Sequence, residues 1–146
     1  MALAAFNSVG DLPPGLHRAS LEEVTIRFGG GTSQRGEATA TLVQVMRLAQ
    51  RTGKLDRLIV FGSYVSNKPA PRDVDIILVM SDDFDMRACS ESAKALFNHH
   101  EAEQHFGASI FWIRPAMLIH ESLENFLAHW QLKRDGSQRG IVDVVL

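Results

Sequence analysis

Asp73 and Asp75 stand one valine apart at the head of a branched apolar run, and nine residues separate Asp73 from the dipeptide Gly62-Ser63, which closes an earlier apolar run. Side chains at i and i+2 of a strand share a face, so the two aspartates are expected to converge while Val74 and Ile76 turn into a core. Paired carboxylates repel unless a cation lies between them. Mg²⁺, or Mn²⁺ in its place, suits such a pair, because it takes hard oxygen ligands and completes its shell with water and substrate phosphates. The alternative is a solvated strand end, in which the two charges only keep an edge soluble. Gly62-Ser63 favours the first reading: a glycine lets a phosphate come close to the backbone, and the adjacent amide and hydroxyl offer donors. Lys68 and Arg72 lie in the gap, where they can neutralise phosphate charge or simply face water.

These groups must be positioned by strands on either side of the gap. Leu58 to Phe61 and Val74 to Met80 read as core strands, apolar and rich in β-branched residues. The stretch between them carries Pro69 and Pro71 and is not expected to be regular. Upstream, DLPPG at 11–15 predicts a stiff turn, and Ser20-Leu21-Glu22-Glu23 predicts a helix start with Ser20 as N-cap and Glu23 three residues on. Gly29-Gly30-Gly31 ends that helix as a connector; it lacks the lysine and Ser/Thr of a phosphate loop. Ala38, Leu42, Val45, Met46 and Ala49 recur at helical spacing over residues 37–52, with Gly53 as the stop. Further helices are expected from about Asp85 to His105 and from Pro115 through Trp130, with strands at 108–113 and at the C-terminal IVDVVL. The sum is an α/β (α+β) chain: one domain over residues 1–146, a mixed central sheet of about four strands with helices packed on it, and residues 1–36 as a turn and short-helix extension.

Composition narrows the function classes. The 146 residues carry 15 Lys and Arg against 17 Asp and Glu, a net charge of −2, so no global basic field recruits nucleic acid. The single cysteine, Cys89, excludes an intrachain disulfide and a cysteine-rich zinc site. MALAAFNSVG is apolar for only a few residues with no positive stretch before it, and no run approaches the length of a membrane span. The expectation is a cytoplasmic protein without a membrane partner.

Phe61-Gly62-Ser63, the nine-residue gap and Asp73-Val74-Asp75-Ile76 together resemble the signature of the nucleotidyltransferase superfamily typified by DNA polymerase beta. DLPPGLH, the following SLEE segment and FGSYVSNKPAPRDVD as a block look like small uncharacterised bacterial members of it, so the resemblance covers most of the chain. It implies a mixed sheet with helices against it, and transfer of a nucleoside monophosphate from an NTP to a macromolecular or small-molecule acceptor. Asp73 and Asp75 would hold Mg²⁺ or Mn²⁺, and Gly62 and Ser63 the triphosphate.

One part of the pattern is missing. Active members of that superfamily supply a third carboxylate from a later core strand, and the matching position here lies near Ser109, with no Asp or Glu from Ala108 to Leu118. A general base contributes roughly 10²–10⁴-fold, so its loss matters. Asp143, Glu101 and Glu103 are the spatial substitutes to test, each also readable as a surface residue. The same gap supports an alternative: a weak or inactive domain that binds a nucleotide or a protein partner, for example in a bacterial toxin-antitoxin or defence system. Weaker signals are the His99, His100, Glu101, Glu103 and His105 cluster, Trp112 and Trp130 as stacking surfaces, and the basic turn with Lys133, Arg134 and Arg139. Each has a plainer reading as solvated or packing residues.

Overall fold

A computed structural model describes residues 3–146; Met1 and Ala2, the start of the apolar N-terminal stretch, lie outside the described residues. Five strands form one sheet: β1 (Leu16–Ser20), β2 (Leu55–Phe61), β3 (Asp75–Met80), β4 (Ser109–Ile113) and β5 (Ile141–Val145). Their spatial order is β1-β5-β2-β3-β4. The outer pairs β1–β5 and β3–β4 are parallel, and β2 runs antiparallel to both of its neighbours, which makes the sheet mixed.

Among the described residues five helices accompany it: α1 (Leu21–Phe28), α2 (Ser33–Arg51), α3 (Glu91–Lys94), α4 (His99–Phe106) and α5 (Leu123–His129). The start of α1 follows its local sequence. Ser20 Oγ accepts from the Glu23 amide at 3.1 Å, and a Glu23 carboxylate oxygen accepts from the Ser20 amide at 3.2 Å, satisfying two amides a helix start leaves open. Helix α2 begins four residues before the expected start at 37, because Thr32 caps it through the Arg35 amide. It buries the expected stripe of Ala38, Leu42, Val45, Met46 and Ala49.

The two faces of the sheet are packed unequally. On one, Val24, Phe28, Leu42 and Val45 of α1 and α2 meet Leu58, Val60, Ile76, Leu78, Ile110, Val142 and Val144 in the main core. On the other, Ile59, Ile77, Val79, Ile113 and Ile141 meet Leu127 of α5, with Phe61, Phe111 and Trp130 half-buried at its margin. Burial on both sides explains why β3 reads as an almost unbroken apolar run.

Three expectations are corrected. The sheet has five strands rather than about four: β1, LHRAS, is a polar edge strand in which only Ala19 is buried, and its partner β5 lies at the other end of the chain. Local pattern cannot register such a pairing. The helix expected over 85–105 is instead a series of short pieces, a 3₁₀ turn at 86–88, α3, a 3₁₀ turn at 95–97 and α4. Asn98 restarts the backbone by accepting from the Glu101 amide at 3.0 Å, while Leu96 and Phe97 turn inward. The stretch from Pro115 to Trp130 likewise breaks into a 3₁₀ turn at 115–117 and α5, which Ser122 caps through the Asn125 amide. Among the described residues no helix is long and apolar enough to cross a membrane.

Candidate functional site

Because β2 and β3 are antiparallel, the end of β2 and the start of β3 meet at one end of the sheet, with Phe61 in register with Asp75. Gly62 follows at φ +82°, and a Cβ built on it would lie 2.0 Å from Asp75 Oδ2. No other residue type meets both demands: the conformation is left-handed, and the aspartate carboxylate occupies the space a side chain would need. The chain then makes one 3₁₀ turn at 63–65 that buries Tyr64 and Val65 and leaves Ser63 half-exposed.

The loop after this turn is held from inside by a residue the sequence reading did not single out. Arg35, 6% exposed, extends from α2 and donates to the carbonyls of Phe28 at 3.0 Å, Tyr64 at 2.8 Å and Lys68 at 2.6 Å, and to that of Ser66. Burial lowers its affinity for the proton, and the Tyr64 side chain opposes that shift. A signal for Arg35 was present in the sequence. It continues the spacing of the α2 stripe backwards, three and four residues before Ala38 and Thr39 and seven before Leu42, so an arginine at that register had to be buried or to bend away. Lys68 and Arg72 are exposed at the loop surface; Arg35 holds the Lys68 carbonyl, and Arg72 lies close enough to Asp73 to favour its charge.

The carboxylates gather as their spacing predicts. Asp73 immediately precedes β3, Asp75 is its first residue, and Val74 and Ile76 are fully buried on the opposite side. Ser109, the first residue of β4, is in register with Asp75. Its hydroxyl lies 3.4 Å from Asp73 Oδ2 and 3.4 Å from Glu103 Oε1 of α4. Burial, reinforced by the charge of Asp73, pushes the Asp75 carboxyl up to about 6, with the Ser109 hydroxyl and the Arg139 guanidinium acting in the opposite sense. Asp73 is raised too, first by burial and then by Glu103, against the Ser109 hydrogen bond and Arg72. The carboxylate pair thus resists carrying its full negative charge.

Positive charge comes from the far side, on the turn before β5. Lys133 Nζ lies 2.8 Å from Asp11 Oδ2, and Arg139 Nη1 lies 3.6 Å from Asp11 Oδ1, while Arg139 also acts on Asp75. One buried aspartate therefore anchors two cations, of which Arg139 acts on Asp75 as well.

A family model matches residues 4–145. The chain belongs to DUF6932, a family of unknown function. The matched span takes in the Gly62 turn, both aspartates, Ser109 and Arg139. Among curated proteins and among solved structures nothing matches.

Of the three substitutes for the missing strand carboxylate, one approaches the site. Asp143 is engaged elsewhere: its Oδ2 pairs with Arg57 at 3.0 Å, and Arg57 also reaches Glu124 at 2.8 Å. Glu101 is exposed on α4. Glu103 points to Ser109 and is paired with His99, whose Nε2 lies 3.3 Å from Glu103 Oε1. His100 is exposed, and His105 packs edge-on against Phe106. Trp112 is a packing residue whose indole donates to the Phe97 carbonyl at 3.1 Å, and Trp130 lies against Phe61 and Phe111.

Asp73 and Asp75 are the residues that could hold a divalent cation. Their hard oxygens, their resistance to joint ionisation and the Gly62 cradle against Asp75 Oδ2 all fit such an ion. Among the described residues, no group of three or more His, Cys, Asp or Glu is arranged to hold a metal. Glu103 stands one serine hydroxyl away from making it three.

Proposed function

We propose that the protein is a nucleotidyltransferase with a polymerase beta-like arrangement of sheet and site, moving a nucleoside monophosphate from an NTP to a hydroxyl-bearing acceptor with Mg²⁺ or Mn²⁺. The observation that carries this reading is the close packing of Gly62 on Asp75, which joins the Gly-Ser turn and the carboxylate pair into one surface. Asp73 and Asp75 would hold the cation, which when bound neutralises phosphate charge and stabilises the oxygens of an in-line displacement.

The chain's own residues divide the remaining work. The Gly62-Ser63 turn presents backbone and hydroxyl donors to the triphosphate, and Gly62 leaves no side chain to keep it away. Arg139 offers a guanidinium on the side facing Asp75, which suits phosphate oxygens in planar, paired hydrogen bonds. Arg72 and Lys68, exposed on the loop, are free to meet the outer phosphates. The test is transfer of label from each of the four NTPs with Mg²⁺ or Mn²⁺, in wild type and Asp75→Asn. Loss of signal in the variant supports the reading, and equal signals remove Asp75 from the mechanism.

A second reading has its own observation, the lack of a three-residue metal group among the described residues. In it the same surface binds NTP without transferring it, or docks a protein partner. NTP and metal at about 100 times the Kd would then add about 2.7 kcal/mol of stability with no product formed.

A further inference from the structure

Helix α4 brings two groups to the carboxylate pair that form a connected chain with it. His99 and Glu103 are one helical turn apart, so they share a face. The His99 ring is fixed on three sides. It stacks on Phe111 with centroids 4.7 Å apart, its Nδ1 lies 3.2 Å from the Ile110 carbonyl, and its Nε2 lies 3.3 Å from Glu103 Oε1. A peptide carbonyl only accepts, so Nδ1 must carry a hydrogen. Nε2 then faces a carboxylate oxygen, and that contact is favourable only with a proton between them. His99 thereby orients the Glu103 carboxylate, and the same oxygen faces the Ser109 hydroxyl as an acceptor.

Ser109 connects this pair to the site. Its hydroxyl is 3.4 Å from both Glu103 Oε1 and Asp73 Oδ2, yet it has one hydrogen to give. Acceptors outnumber donors at this spot by construction. The group that corrects the imbalance is one that brings an O–H of its own.

We propose that Ser109, Glu103 and His99 receive the acceptor hydroxyl: the substrate O–H donates to Ser109 Oγ while Ser109 donates to Glu103. This rests on the nucleotidyltransferase reading. In the transfer step the acceptor oxygen bonds to the α-phosphorus as its proton passes to Ser109 Oγ, and the Ser109 proton passes to Glu103. The bond from the α-phosphorus to the bridging oxygen breaks, and pyrophosphate leaves with that electron pair. Ser109 touches the substrate, whereas Glu103 and His99 are positioning residues that act through it. The strand position that lacks a carboxylate is thus served from a helix.

The experiment measures pyrophosphate release from each NTP with Mg²⁺ or Mn²⁺, with water, a mixed RNA pool or a mixed protein pool as the source of hydroxyl. The thermal shift given by the same NTP and metal is recorded alongside. The proteins are wild type, Glu103→Gln, Glu103→Asp, Ser109→Ala and, as a control on the exposed side of α4, Glu101→Gln. Expected are a wild-type thermal shift and NTP KM in Glu103→Gln and Ser109→Ala, a kcat reduced about 10²-fold in each, partial recovery in Glu103→Asp, and no change in Glu101→Gln. A wild-type kcat in Glu103→Gln, or loss of its thermal shift, overturns the inference and leaves the proposed function standing. A wild type that shifts but releases no pyrophosphate overturns the inference and leaves nucleotide binding. One that neither shifts nor reacts overturns both.

Discussion

At the scale of single residues, Asp75 sets the balance between stability and function. Its carboxyl is raised to about 6, chiefly by burial and then by Asp73, so the native state holds the proton more tightly than the unfolded chain does. The sign follows directly. The stabilisation that comes with a protonated Asp75 is fully present below the unfolded value near 4 and is lost as the pH rises through about 6. Asp75→Asn, permanently neutral, should therefore match wild type at pH 4 and exceed it at pH 7.5 by about 1–2 kcal/mol, allowing for solvent screening of a half-buried group. Urea denaturation at the two pH values measures this, and an equal difference at both would refute the assignment. Gly62→Ala works in the opposite direction. The positive φ alone costs about 1–2 kcal/mol, and the new methyl would displace the Asp75 carboxylate. The same denaturation should show that loss, with no thermal shift from NTP and Mg²⁺.

At the scale of elements, the parts legible in the sequence were those specified by neighbouring residues. The Ser20–Glu23 box, the α2 stripe and the apolar runs of β2 and β3 each carry their signal within a few positions, and so does the convergence of Asp73 and Asp75. What was not legible depends on contacts between distant segments. The loop from Tyr64 to Lys68 has no ladder of its own, and its carbonyls are satisfied by Arg35, about thirty positions earlier in the chain. Glu103 could be named as a candidate, but its approach to Ser109 depends on Asn98 breaking the expected helix and starting α4 afresh. Arg35→Met would keep most of the stem packing and leave four carbonyls without their donor. A loss of about 2–4 kcal/mol is expected, together with faster proteolysis between Ser66 and Arg72. Intact protease resistance in that segment would show that the loop holds itself.

At the scale of the molecule, two strands far apart in the sequence close the sheet together, which is why local pattern does not show β1 as a strand. β1 pairs with β5 over Leu16–Ser20 and Ile141–Val145, and the turns before them are tied as well. The Gly140 amide donates to the Leu12 carbonyl at 2.9 Å, and the Gly15 amide to the Gln131 side chain at 2.6 Å. Asp11 is the charged centre of this closure, its side chain 5% exposed between Lys133 and Arg139. Asp11→Asn would leave two cations facing each other with reduced solvation. Removing one member of a fully buried pair costs roughly 3–5 kcal/mol; both cations here are partly exposed, so about 1–3 kcal/mol is expected. Because the remaining repulsion is screened by salt, the deficit relative to wild type should shrink between 0.01 and about 1 M NaCl. The same substitution releases Arg139 from its anchor while leaving Asp75 in place. If Asp11 serves only to close the sheet, NTP and Mg²⁺ will still raise the melting temperature of the variant as they do wild type. If it also aims Arg139 at the phosphates, the shift will fall while Asp75→Asn abolishes it, and the two variants measured side by side separate closure from aim.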